Sequence, residues 1–179
     1  IYLEKMRNAV LDQSKQKLYF PVDPTSRNDA MIGGAISCNA SGFIPGPQGA
    51  MRYWVNSLDF LTPNGYKVSC KRGQYISKNG LFLLKFSNKI IKWKIPTYPR
   101  PKIKNASGPY SDKNGKIDLV DILIGSEGIF GLITKVNFKL KKMPDDFLNL
   151  FFTLPSEKKA IKFHHYMEKK LNNDLSQLS

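Results

Sequence analysis

The chain has 179 residues, is 41% hydrophobic and carries a formal net charge of +14. That length supports one ordinary core, with room for part of a second domain. No run of about 18 apolar residues marks a transmembrane helix, and the first residues, IYLEKMRNAV, show no basic start followed by an apolar leader.

Cys38 and Cys70 are the only cysteines. They are too few for a disulfide framework or a structural zinc, so two reduced thiols in a cytoplasmic protein are expected, with no metal. The basic residues are overwhelmingly Lys; the Arg are Arg7, Arg27, Arg52, Arg72 and Arg100. Base readers lean on the bidentate Arg fork. Lysines scattered singly read as a solvated surface, so no nucleic-acid partner is expected. The charge supports a second reading, a basic module that contacts nucleic acid or an acidic partner.

Residues 2–18 read as a helix, with Leu3, Met6 and Val10 on one stripe, stopped by Pro21 and Pro24. Residues 21–30 follow as an extended loop. Met31 to Ala40 pass through Gly33–Gly34 into a helix of small residues, AISCNA, with Asn39 about one and a half turns in. Cys38 is expected as a packed small thiol.

Val55–Leu61 and Tyr66–Cys70 flank Pro63-Asn64-Gly65, a hairpin signal. A second pair, LFLLKF at 81–86 and KIIKWKI at 89–95, encloses Ser87-Asn88. Alternation over Ile91, Trp93 and Ile95 suits a half-buried strand. Trp54 and Trp93 read as packing residues. Residues 96–117 form a long irregular stretch.

Asp118–Ile124 suits a short helix, followed by the loop GSEG and a strand near 130–140. Val136, Phe138 and Leu140 alternate along it. Pro144 with Asp145–Asp146 looks like a boundary, and 147–154 reads as a new strand. Ser156 is a candidate N-cap for a helix with Ala160, Phe163, Met167 and Leu171 on one face. The strands pair mostly as antiparallel neighbours with helices between them, which gives an α+β fold.

Gly-rich turns matter chemically because phosphate binding needs backbone amides that no side chain screens. Gly33–Gly34 satisfies that need, but it is neither a Rossmann fingerprint nor a Walker loop. His164 and His165 are adjacent and point about 100° apart on a helix, which is not a metal pair. Glu157 and Glu168 have no acid–base partner. Ser126-Glu127-Gly128 lacks the GxSxG of a nucleophile elbow. No catalytic residue is assigned.

The longer strings are more specific. PVDPTSRNDAMIGGAISCNASG, residues 21–42, resembles the P-x-D-P-[ST]-S…IGG…N-[AS]-x-G run of the FAD-linked oxidases. These flavoproteins have the PCMH-type FAD-binding domain of the vanillyl-alcohol oxidase superfamily; the likeness is to the glycolate oxidase and D-lactate dehydrogenase branch. RYWVNSLDFLTPNG at 52–65, KNASGPY at 104–110 and DLVDILIGSEGIFGLITKVNFKL at 118–140 resemble further family segments in the same order. The likeness covers about residues 15–143. Phe130 stands where the family often has Leu, Pro109 interrupts the KNASGPY match, and 71–103 looks like a branch-specific hairpin insertion.

The resemblance implies FAD as cofactor and hydride transfer to it from a 2-hydroxy acid or related alcohol. It implies the second FAD-binding subdomain over 1–143, an antiparallel sheet flanked by helices, with a substrate or cap domain starting at 144–179. By that likeness Pro24, Ser26, Gly33, Gly34, Asn39 and Gly42 line the ribityl and pyrophosphate region. Glu127 and Gly128 shape the second loop, and the Ile133 backbone faces the adenine. A fragment of a longer enzyme is expected, without the first FAD subdomain and the general base, and a homo-oligomer stays open. Both glycine segments should then lie on an open face flanked by apolar surface.

Overall fold

In a computed structural model of the chain, residues 1–44, 46–86, 89–95, 115–146, 151 and 153–171 are described. The fold is α+β, and every strand pairing among these residues is antiparallel. Helix α1 is Leu3–Gln13, β1 is Leu18–Tyr19, α2 is Ile32–Ser37 and α3 is Met51–Trp54. Strands β2 (Val55–Leu61), β3 (Lys67–Lys71), β4 (Leu81–Phe86) and β5 (Lys89–Lys94) follow. The remaining elements are α4 (Leu119–Leu123), β6 (Leu132–Phe138), β7 (Lys141–Lys142) and α5 (Glu157–Leu171).

The main sheet has the order β3-β2-β6. Its hairpin turns where the sequence places it: the Gly65 amide donates to the Thr62 carbonyl at 2.9 Å, and Gly65 takes the left-handed φ of 81°. Glycine alone takes that conformation without strain. Strand β2 buries Val55, Leu58 and Phe60, which is not a strict period of two. Register shifts against β6 between Val55 and Ser57, and between Asp59 and Phe60, account for this. An extra residue at a bulge turns the following side chains to the other face.

α2, α3 and α4 cover the buried face of this sheet. The core joins Ile36, Met51, Trp54, Val55, Leu58, Leu119, Val120 and Ile124. Phe20 packs into it against Phe138, with ring centroids 4.6 Å apart. β4 and β5 form a hairpin of their own, yet Phe82 and Leu84 are buried in the same core. Trp93 and Ile95 pack partly against it, as the alternation requires. Ser87-Asn88, residues 96–114 and the KNASGPY segment lie outside the described residues.

Several expectations need correction. The first helix ends at Gln13 rather than near 18, because Lys15 and Gln16 adopt left-handed φ of 53° and 61° and turn the chain into β1. No glycine or asparagine announces that turn. Residues 25–29 are a series of turns rather than an extended loop, with the Arg27 amide on the Pro24 carbonyl at 3.0 Å. Gly33 and Gly34 lie inside the first turn of α2, which starts at Ile32. Asn39 has left the helix, which ends at Ser37, and sits at φ 47°. Cys38 is exposed rather than packed, because the helix end turns it outward. In the stretch expected as a strand at 147–154, Phe151, Thr153 and Leu154 carry no strand structure, and the other residues lie outside the description. Helix α5 forms with the Lys159 amide 3.4 Å from Ser156 Oγ, and Ala160, Phe163 and Met167 are half-buried.

Candidate functional site

The two glycine segments meet. The Gly125 amide donates to the Ile36 carbonyl at 3.0 Å, and the Glu127 amide donates to the Ser37 carbonyl at 2.9 Å. The last carbonyls of a helix have no partner within it. Here the second loop supplies the donors, so the end of α2 is capped from a segment remote in sequence. Beyond that junction, a Cβ added to Gly33 would stand 3.7 Å from the Ile133 carbonyl. α2, the 125–128 loop and the start of β6 therefore form one continuous surface.

That surface is open. Gly34 and Gly128 are exposed, and beyond their chain neighbours and, for Gly34, the backbone of its own helix, no atom lies within 4 Å of where their Cβ would be. Glu127 and Gly128 both take left-handed φ, 51° and 83°. Met31, Ile129 and Leu132, each within four residues of these glycines in the chain, are 55%, 73% and 67% exposed. Backbone is therefore accessible at Gly34 of α2 and at Gly128 of the loop.

The expected residues divide by geometry. Ser26, Gly33, Gly34, Glu127, Gly128 and Ile133 lie on half-buried or exposed positions. Pro24 is buried. Gly42 closes against the chain itself, since a Cβ there would overlap the Asp23 backbone. Asn39 is 1% exposed, and its Oδ1 accepts the Arg52 amide at 3.0 Å.

The loop carrying Pro24 and Ser26 is held by charge. Asp23 Oδ1 accepts from Arg7 Nη1 at 2.9 Å and from Arg27 Nη1 at 2.6 Å, while Glu4 pairs with both arginines. These pairs are partly exposed, where an isolated pair is worth about 0–1 kcal/mol. As a network they fix the loop against α1.

A second charged cluster is buried and was not legible in the sequence. Arg52 and Asp121 side chains are each 11% exposed, with Nη1 and Oδ1 3.4 Å apart. Arg72 Nη2 reaches the same Oδ1 at 3.1 Å and donates to the Arg52 carbonyl at 2.6 Å. Arg52 also donates from Nη1 to the Asp121 carbonyl and from Nη2 to the Ile124 carbonyl, the latter at 2.5 Å. The fork satisfies the free carbonyls at the end of α4, immediately before Gly125. The one available signal was the choice of Arg in a chain rich in Lys, since the planar fork suits buried multidentate pairing.

Among the described residues no cluster of His, Cys, Asp or Glu could hold a metal ion. No described helix is long and apolar enough to cross a membrane. Burial pushes the Cys70 thiol up to about 12, assisted by the Asp118 charge, so it stays protonated at neutral pH.

Residues 6–71 match the family described as FAD binding domain. The chain is 28% identical over 154 residues to a D-2-hydroxyglutarate dehydrogenase of Xanthomonas citri pv. viticola, covering 86% of this chain and 24% of that protein. It is 26% identical over 155 residues to a D-2-hydroxyglutarate dehydrogenase of Stutzerimonas stutzeri, covering 87% and 26%. Against the mitochondrial D-lactate dehydrogenase (cytochrome) of Arabidopsis thaliana it is 29% identical over 143 residues, covering 80% and 18%. The chain thus spans about a quarter or less of the length of these relatives.

Proposed function

We propose that this chain, a member of the FAD-linked oxidases whose FAD binding domain is matched over 6–71, forms one wall of the flavin site of a dehydrogenase acting on 2-hydroxy acids or related alcohols. The observation that carries the reading is the exposed backbone at Gly34 and Gly128, on α2 and a 125–128 loop bonded to it, with Gly33 packed on the Ile133 carbonyl. The names of the relatives supply the substrate class.

In this reading the chain contributes the second FAD-binding subdomain over 1–143 and the beginning of a cap domain at 144–179. Two contacts support that division: β1 pairs with β7, Leu18 facing Lys142, and the Met143 amide donates to the Lys17 carbonyl at 2.8 Å. They tie the end of the first unit back to the strand that follows α1. The rest of the cofactor site closes over the rim of Met31, Ile129 and Leu132.

Bound FAD would accept the hydride from the substrate carbon; the protein's part is to position it and keep its surroundings dry. Gly33 and Gly34 let the cofactor approach the α2 backbone. Ser26 offers a hydroxyl from the charged loop, and Glu127, Gly128 and the Ile133 backbone shape the opposite side. Pro24, Asn39 and Gly42 support this surface from within.

The test is spectroscopic. The full-length protein should purify with flavin absorbance that bleaches anaerobically on addition of a D-2-hydroxy acid such as D-2-hydroxyglutarate or D-lactate. Retained flavin that neither compound bleaches would remove the substrate class.

A further inference from the structure

We infer that Arg52 is the positioning residue of the flavin wall: it sets the two glycine segments against each other. The inference rests on the flavin reading above for its ligand, and on a closed ring of contacts for its geometry. From the end of α2 the ring runs through Asn39, whose Oδ1 accepts the Arg52 amide at 3.0 Å. It passes along the Arg52 side chain to the Ile124 carbonyl at 2.5 Å. From there one peptide leads to Gly125, whose amide returns to the Ile36 carbonyl at 3.0 Å. Arg52 belongs to α3, outside both segments; it bonds Asn39 of the first and Ile124, the residue just before the second.

The chemistry suits the task. The backbone amide of Arg52 holds the tail of α2 while its guanidinium caps the end of α4, where free carbonyls attract a cation. Two parallel donors fix orientation as well as distance, which a point charge cannot do. Asp121 neutralises the buried guanidinium and is shared with Arg72. Arg72 provides the internal comparison. It reaches the Arg52 carbonyl in α3, the Val55 carbonyl in β2 and Asp121 in α4, and among the described bonds not the Ile124 carbonyl that leads into the loop.

Arg52→Lys and Arg72→Lys in the full-length protein separate positioning from plain stability. FAD affinity is read by flavin fluorescence quenching, and hydrogen exchange is followed at the Gly125 and Glu127 amides. Arg52→Lys should weaken FAD binding about tenfold or more, the loss expected for hydrogen bonds to a charged group, and should speed exchange at both amides. Arg72→Lys should leave both readouts near wild type even where its melting temperature falls as far. Asn39→Gly, which keeps the left-handed φ and removes the acceptor of the Arg52 amide, should reproduce the Arg52→Lys pattern and decides the matter if that variant does not fold. Unchanged exchange and affinity in Arg52→Lys, or equal changes in Arg72→Lys, would overturn the inference. A wild-type protein that takes up no FAD would overturn the flavin reading instead, and the exchange arm would still decide whether Arg52 governs the junction.

Discussion

The Gly125 amide lies 3.0 Å from the Ile36 carbonyl and joins two glycine-rich segments that the sequence keeps far apart. One segment carries a six-residue helix; the other is a loop whose Gly125 and Glu127 amides are aimed at the last carbonyls of that helix. Bonded together they present Gly34 and Gly128 on one open face.

That division between open and closed glycines is directly testable. Gly34→Leu replaces an exposed residue beside empty space, and leucine is the better helix former by up to about 1 kcal/mol. The variant should fold with unchanged or slightly higher stability and lose FAD affinity by at least about tenfold in a fluorescence titration. Gly42→Ala should do the reverse at the level of the fold. Its Cβ would overlap the Asp23 backbone, so urea unfolding should show a loss of about 1–3 kcal/mol or more.

The buried charges make a second prediction. Asp121→Ala leaves the Arg52 and Arg72 guanidinium groups without their shared carboxylate. Removing one partner of a buried pair costs about 3–5 kcal/mol, so this variant should unfold at a much lower urea midpoint. A loss of under about 1 kcal/mol would show that water solvates the cluster.

The hairpin of β4 and β5, in a segment that reads as an insertion, is not a removable appendage. Phe82 is 1% exposed within the core. Phe82→Ala should therefore cost about 3–5 kcal/mol in equilibrium unfolding. A decorative hairpin would instead give a loss near zero.

The cysteines differ in reactivity. Cys38 is exposed and should react with a thiol reagent in the native state. Cys70 should react only on unfolding. Its pKa is raised in the folded state, from 9.0 to about 12, so above pH 9 the unfolded chain loses a proton that the folded chain keeps. Stability from this group is intact below about pH 9 and falls as pH rises toward 12. Cys70→Ala should show a shallower decline in melting temperature across that window.

The sequence made some of this legible for local physical reasons. Pro63-Asn64-Gly65 placed one hairpin because the turn needs a left-handed residue, and period-two alternation placed Trp93 and Ile95. The short helix read over Asp118–Ile124 forms over Leu119–Leu123, where Asp118 Oδ1 accepts the Val120 amide at 2.9 Å. The end of α1 was not legible, since Lys15 and Gln16 take left-handed φ without the residues that favour it. The inward turn of Asn39 and the Arg52–Asp121 pair were invisible for a different reason. Each depends on partners brought close only by the folded sheet, and no local spacing encodes them.

If the bonded glycine segments hold FAD, the cofactor stabilises the folded protein. A thermal-shift titration of the full-length protein, stripped of bound nucleotide, with FAD alone reads this. FAD at about 100 times its dissociation constant should stabilise the fold by about 2.7 kcal/mol and raise the melting temperature accordingly; Gly34→Leu at the same concentration should show little of this rise. A melting temperature that FAD leaves unchanged, in a protein that purifies colourless, would contradict the claim.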